Sequence, residues 1–432
     1  MSEIRAIADS FDAILQSKNV DKYTYTLVQS EKQELNIEGT SFKLMRTVFN
    51  NFGSLKVFHG ARMGSVSGND ISEEGLAKLA DDGIAAAESA EEDPCHDFAP
   101  DQGKEVFRQG VYEPDMDRFF ERTKEFLDAV EKEYPKIRIM MGGASFDRSH
   151  WISRNTNGTE FEDFSGQYEF MVEFSAVDGE RTTGMNGCGF CTKDLDTPFI
   201  DMCDVRKQLE DTQNSLDTKS VEGKFEGTVI MTPSCVTQFL YMLMSNYIGN
   251  NVIIDGTSQW LDKVGEKVAD EKLTVALKPF DERIVVGERG TQDGFRTEDV
   301  TIFDHGVLKT HMLNLYASNK TGRPMIKNTG SDVVVEPGDS ALEDIIASVD
   351  HGLLMGSFSG GQPGTNGEFS GVAKNSFLIE NGKVTDAVME TMVNGNLGSI
   401  FADIRAISKE QLCDGASVVP YIAFNGIVIS GK

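Results

Sequence analysis

Three segments of the second half repeat one pattern. TIFDHGVLKTHML (301–313), SFLIENGKVTDAV (376–388) and YIAFNGIVISG (421–431) each set an apolar run, a residue–glycine pair and a second apolar run. Apolar runs on both sides of such a pair predict hairpins, because glycine supplies the positive φ that tight turns need. From about residue 272 the chain therefore has to build sheet. Two helices belong to this half. One runs from Pro233 to Ile248 after the strand TVIMTP. The other takes Asp339 or Ser340 as its cap, Leu342, Ile345, Ile346 and Val349 as its face and Gly352 as its terminator. This half reads as a curved sheet or partial barrel with a few helices.

The first half alternates sheet and helix. TYTLVQ, FKLMRTVF and LKVFHGA, within 22–62, read as strands separated by Gly and Asn signals. Asp70 and Glu73 form a capping-box pattern, followed by Leu76, Leu79, Ala80, Ile84 and Ala87 at helical spacing. Residues 91–113 are polar, contain two prolines and read as a loop. A second helix spans about Asp115 to Tyr134, with Met116, Phe119, Phe120, Phe126, Leu127 and Val130 on one face. IRIMMGGAS, HWISRNTNG and YEFMVEFSAV read as antiparallel strands with a hairpin turn at Thr156-Asn157-Gly158, and a third helix occupies about 202–215. The fold class is α+β. The charged stretch 216–226 divides an N-terminal α+β domain (1–220) from a C-terminal β-rich domain (221–432).

Composition narrows the function. Lys+Arg number 41 against 69 Asp+Glu, a net charge of −28, which argues against nucleic acid and anionic membranes as partners. The helix at 233–248 is too short and too polar to span a bilayer. The N-terminus lacks the apolar core of a signal peptide, and six cysteines in 432 residues do not make a disulfide scaffold. A reducing cytoplasm is the expected compartment.

The motifs with chemical potential are few. GSFSGGQPGTNGEFSGVAKNSFLIENGK (356–383) places six glycines in its first sixteen positions. It is not a P-loop, since no Lys-Ser or Lys-Thr follows, and not a dinucleotide fingerprint, since the next element reads as a strand. It reads either as a flexible connection or as a loop beside an exposed strand edge, where small residues let an extended peptide come close. The Cys188–Cys191 pair stands alone in a Gly-rich turn, whereas a structural zinc site needs four ligands. His305 and His311 flank a turn and could face each other across it. There is no His-Glu-x-x-His and no Gly-x-Ser-x-Gly.

GTSQWLDKVGEKVADEKLTV, FDHGVLKTHMLNLYASNKTG, NTGS and FSGGQPGTNGEFSGVAKNSFLIENGKV, in that order, resemble the TldD/PmbA family. Its members are described as modulators of DNA gyrase and regarded as metalloprotease subunits. The likeness covers about 222–432 well and the first half more loosely, through YTYTLVQSEKQELNIEG and GARMGSVSGND. It implies an α+β N-terminal part and a β-rich C-terminal part that dimerises. In the TldD branch a helix before the Gly-Thr-Ser segment carries H-E-x-x-x-H, two imidazoles for zinc and a glutamate that activates water, and a cysteine near the C-terminus completes the site. The matching helix here, 233–248, has no His and no Glu; Gln238, Ser245 and Asn246 are its polar side chains, and Cys413 lies in roughly the region of the cysteine. The resemblance therefore implies the PmbA/TldE branch: a subunit with no catalytic residue and no metal or cofactor of its own, zinc being expected only in a TldD-like partner. It further implies a dimer enclosing a chamber, in which unfolded peptide is added as a strand. Gly360, Gly361, Gln362, Asn366 and Phe369 are then the groove candidates. The alternatives are a stand-alone homodimeric peptide-binding protein, and an active metallopeptidase with a non-standard site using His305, His311 or Cys413.

Overall fold

The computed structural model describes residues 3–389 and 391–431. The first half runs α1 (Glu3–Ser17), β1 (Lys22–Glu38), β2 (Ser41–His59), β3 (Arg62–Gly68), α2 (Glu73–Ser89), β4 (Lys104–Gly110), α3 (Met116–Glu133), β5 (Ile137–Asn155), β6 (Glu160–Asp178), β7 (Arg181–Thr182), β8 (Asn186–Thr192) and α4 (Val205–Asn214). Its sheet has the order β3-β2-β1-β5-β6-β4, with β7 and β8 also pairing to β6, and curves into half a barrel.

Side chains alternate across strands, so each face can be read from the register. One face carries Leu27, Leu35, Leu55, Phe146 and Phe170 and lies under the helices. Ile4 and Phe11 of α1 and Leu76 and Leu79 of α2 cover one end; Phe119, Phe126 and Val130 of α3 and Leu209 of α4 cover the other. The opposite face carries Lys32, Glu34, Met141, Glu169 and Met171 and is left uncovered by helices.

Several expectations change here. The runs 42–49 and 55–59 are one strand, β2, and Gly60-Ala61 turn into β3. Gly53 of β2 is an opening for packing rather than a turn: a Cβ there would stand 3.3 Å from Leu27 and 3.5 Å from Leu79. IRIMMGGAS and HWISRNTNG are likewise one strand, β5, and the turn after it lies where expected. The 91–113 loop contains β4, which is parallel to β6; its prolines stop at Pro100, and Phe107 and Gln109 alternate inward. The cap of α2 is Ser72, whose hydroxyl accepts from the Gly75 amide, while Asp70 accepts from Ser72. α3 begins where predicted, and the structure makes Asp115 its cap. The α1 face, Ile4, Ala8, Phe11 and Leu15, was legible at helical spacing but unread.

Among the described residues the second sheet has fourteen strands between residues 218 and 430 and is mixed, with Lys224–Met231 antiparallel to Val418–Ser430 and parallel to His351–Met355. Two of the three expected hairpins form, 300–304 with 307–308 and 376–380 with 383–389. The third does not: Val418–Ser430 is a single strand. Its Asn425-Gly426 pair makes a bulge opposite Thr228, with Gly426 at φ 71°. A glycine at positive φ serves a bulge as well as a turn. Helix α5 (Pro233–Tyr247) packs its Phe239, Leu240, Leu243 and Tyr247 into the core of this half. The later predicted helix is Leu342–Ala347, with Ala341 at its cap position and Gly352 already inside the next strand. Three short helices, Asn250–Ile254, Leu315–Thr321 and Leu397–Ala402, were not foreseen.

The halves are joined by polar contacts. The Gln109 amide donates to Asp163 at 2.9 Å while its oxygen accepts from the Gly287 amide at 3.0 Å. Arg296 pairs with Glu105 at 2.7 Å, and the Cys191 amide donates to the Asp414 carbonyl at 2.7 Å. Among the described residues no helix is long and apolar enough to cross a membrane.

Candidate functional site

The site is best built from α5 outward. Pro233 opens the helix, where its missing N–H costs nothing. Ser234, Gln238, Tyr241 and Ser245 are its exposed residues. Spacings of four, three and four place them on one stripe. None is an imidazole or a carboxylate. Asn246 turns partly inward, and its Nδ2 has no hydrogen-bond partner among the described residues. Tyr241 is 44% exposed, yet packing around its hydroxyl, with Asp332 and Asp414 near, raises its pKa.

Beside the start of this stripe lies the strand Ser357–Gly360. It pairs with Glu368–Lys374 on one side and with no strand on the other among the described residues. Gln238 Nε2 donates to the Phe358 carbonyl at 3.2 Å, and Thr232 Oγ1 donates to the Gly356 carbonyl at 2.8 Å. The glycine-rich run is thus a hairpin, not a flexible connection; among the described residues no strand pairs with its edge beside α5, where side chains of Thr232 and Gln238 hold the Gly356 and Phe358 carbonyls.

Its glycines serve the chain's own packing. Gly360 and Gly371 face each other across the hairpin. The Phe358 ring occupies the space where their side chains would stand, at 2.4 and 2.6 Å from the two Cβ positions. Gly367, at φ 85°, would place a Cβ 1.9 Å from the Tyr247 hydroxyl. Gly361 has nothing within 4 Å. Gln362 and Phe369 border one open surface with Asn394, Gly395 and Asn396. The Phe369 ring, 4% exposed, points inward onto Phe239 and Phe358. Asn366 holds the turn: its side chain accepts from the Glu368 amide and its carbonyl from Asn396 Nδ2.

The remaining candidates are scattered. Cys188 and Cys191 lie on strand β8, not in a turn, and three residues apart they face opposite sides. Cys203 donates its thiol to the Cys413 carbonyl at 3.2 Å. Burial pushes the Cys191 and Cys203 thiols up to about 12, so neither is a ready thiolate. His305 sits exposed at a hairpin tip, whereas His311 is buried beyond the hairpin with Nε2 on the Trp260 carbonyl; they do not face each other. Among the described residues no group of three or more His, Cys, Asp or Glu is placed to hold a metal ion. The donors present do not fit a catalytic zinc.

Residues 223–431 match the family described as the PmbA/TldA metallopeptidase C-terminal domain. This chain carries a PmbA/TldD-family domain. The Metalloprotease MJ0996 of Methanocaldococcus jannaschii is 26% identical over 208 residues, 44% of each chain. The chain thus spans less than half the length of that curated relative. The Metalloprotease PmbA of Escherichia coli O157:H7 is 23% identical over 389 residues, 84% of this chain and 82% of that one. In fold, the crystal structure of TldE from Thermococcus kodakarensis superposes with a TM-score of 0.83 at 19% identity, covering 98% of this chain and 100% of that one. Sequence reading missed Tyr241, although its spacing from Gln238 and Ser245 marks the stripe.

Proposed function

We propose that this chain is a PmbA/TldE-like, non-catalytic subunit of a TldD-type zinc metalloprotease of the cytoplasm, shaping the chamber and holding extended peptide substrate. One observation carries the reading: the exposed stripe of α5 offers two hydroxymethyls, an amide and a phenol, and none of these is a usual zinc ligand or a base for water. The open Ser357–Gly360 edge supports the second part, since an unpaired strand edge binds extended peptide through main-chain hydrogen bonds. Zinc and the activated water would come from a TldD-like partner. An indirect effect on gyrase through peptide processing accords better with a −28 chain than contact with DNA. The test is co-expression with a TldD-like subunit. Peptide cleavage that needs both chains supports the reading; cleavage by the partner alone at the same rate overturns it. A stand-alone homodimeric peptide binder shares the open edge and would show binding with no stable complex to such a partner.

A further inference from the structure

Two sequence runs remain without a role, MMGGAS in β5 and GCGFC in β8. They meet across β6. The register sets Gly143, Met171 and Gly189 abreast on the uncovered face of the first sheet. Met171 therefore stands between two residues that have no side chain. It is 58% exposed, as is Met141, and a Cβ built on Gly143 meets nothing within 4 Å. The result is a cavity of about 900 Å³ with a floor of thioethers and bare backbone. Methionine is flexible and polarizable, so such a floor adapts to apolar groups of varied shape. The border is acidic. Glu34, Glu38, Glu169 and Asp414 line it against Lys32 and Lys43; Lys32 is already shared between Asp147 at 3.1 Å and Glu169 at 3.7 Å, Lys43 stands 4.0 Å from Glu38, and Arg46 pairs with Glu34, so the carboxylates still outnumber the cations.

The geometry points to a binding pocket for a large apolar side chain of an extended peptide that carries lysine or arginine beside it. This rests on the peptide-holding reading above and names the class of peptide. Apolar contact with the methionines supplies affinity, and the carboxylate border supplies the sign of the flanking charge.

The test is fluorescence anisotropy on the full chain with three dansyl peptides: Ser-Lys-Leu-Phe-Leu-Lys-Ser, Ser-Glu-Leu-Phe-Leu-Glu-Ser and Ser-Lys-Ser-Gly-Ser-Lys-Ser. The first should bind roughly tenfold or more tighter than either other. Gly143→Leu, which fills the open slot, and Met171→Glu, which puts charge on the floor, should each remove that preference. Both sites are solvent-facing, and an unchanged melting temperature reports intact folding. If the preference survives both variants, or if all three peptides bind alike, the pocket assignment falls while peptide holding stands. If the wild-type chain binds none of them, both fall.

Discussion

Two groups of glycines sit in this molecule and do opposite things. Those of the 356–371 hairpin are filled, Gly361 excepted: Phe358 lies under Gly360 and Gly371, and the Tyr247 hydroxyl lies against Gly367. Gly143, in the first sheet, is empty, with no atom within 4 Å of its missing side chain. The richer run in sequence is therefore an internal packing device with one open edge, and the poorer run makes the cavity. A glycine count alone does not separate a glycine that admits the chain's own ring from one that leaves room for something else.

Substitutions should split the two groups. Gly367→Ala has the largest expected effect, because it adds a Cβ at φ 85° into Tyr247; a loss of about 3 kcal/mol in denaturant unfolding is expected. Gly371→Ala drives a methyl into the Phe358 ring and should cost about 2 kcal/mol. A neutral result for either would break the contrast. Gln238→Ala removes the hydrogen bond onto the Phe358 carbonyl and should cost about 1 kcal/mol or less.

The seam between the halves gives a prediction in pH. Asp163 is 1% exposed, and burial holds its carboxyl above the ordinary aspartate range. The folded chain then binds that proton more tightly than the unfolded chain does. Its contribution to stability falls as pH rises from the ordinary value toward the folded one. Asp163→Asn keeps an oxygen for Gln109 and removes the charge. It should melt higher than wild type at pH 7, and the difference should vanish below about pH 4. An unchanged or lower melting temperature at pH 7 would contradict the sign. Gly143→Leu should change stability least, by less than about 0.5 kcal/mol, and act on peptide binding instead.

What was legible in the sequence was local. α3 carries its own cap in Asp115 and its own apolar stripe, and the helix forms there. The hairpins at 305–306 and 381–382 carry turn residues at positive φ, His305-Gly306 and Asn381-Gly382. What was not legible depended on residues far away in the chain. Gly53 and Asn425-Gly426 look like turns, but pairing of β2 with β1 and of Val418–Ser430 with Lys224–Met231 carries the strands through them. The same limit held at the site. The lack of zinc donors on 233–248 could be read directly, whereas the Phe358 ring beneath Gly360 and the abreast row Gly143–Met171–Gly189 exist only once strands are paired.

The claim on which the account stands is the proposal that this chain brings no catalytic metal site of its own to peptide hydrolysis, on the exposed stripe of α5 or elsewhere. Its most direct test is peptide hydrolysis by the purified chain alone, supplied with zinc and assayed with and without a chelator. The account predicts no turnover in either condition. Chelator-sensitive cleavage that co-purifies with this chain and disappears when His311 or Cys413 is replaced would contradict it.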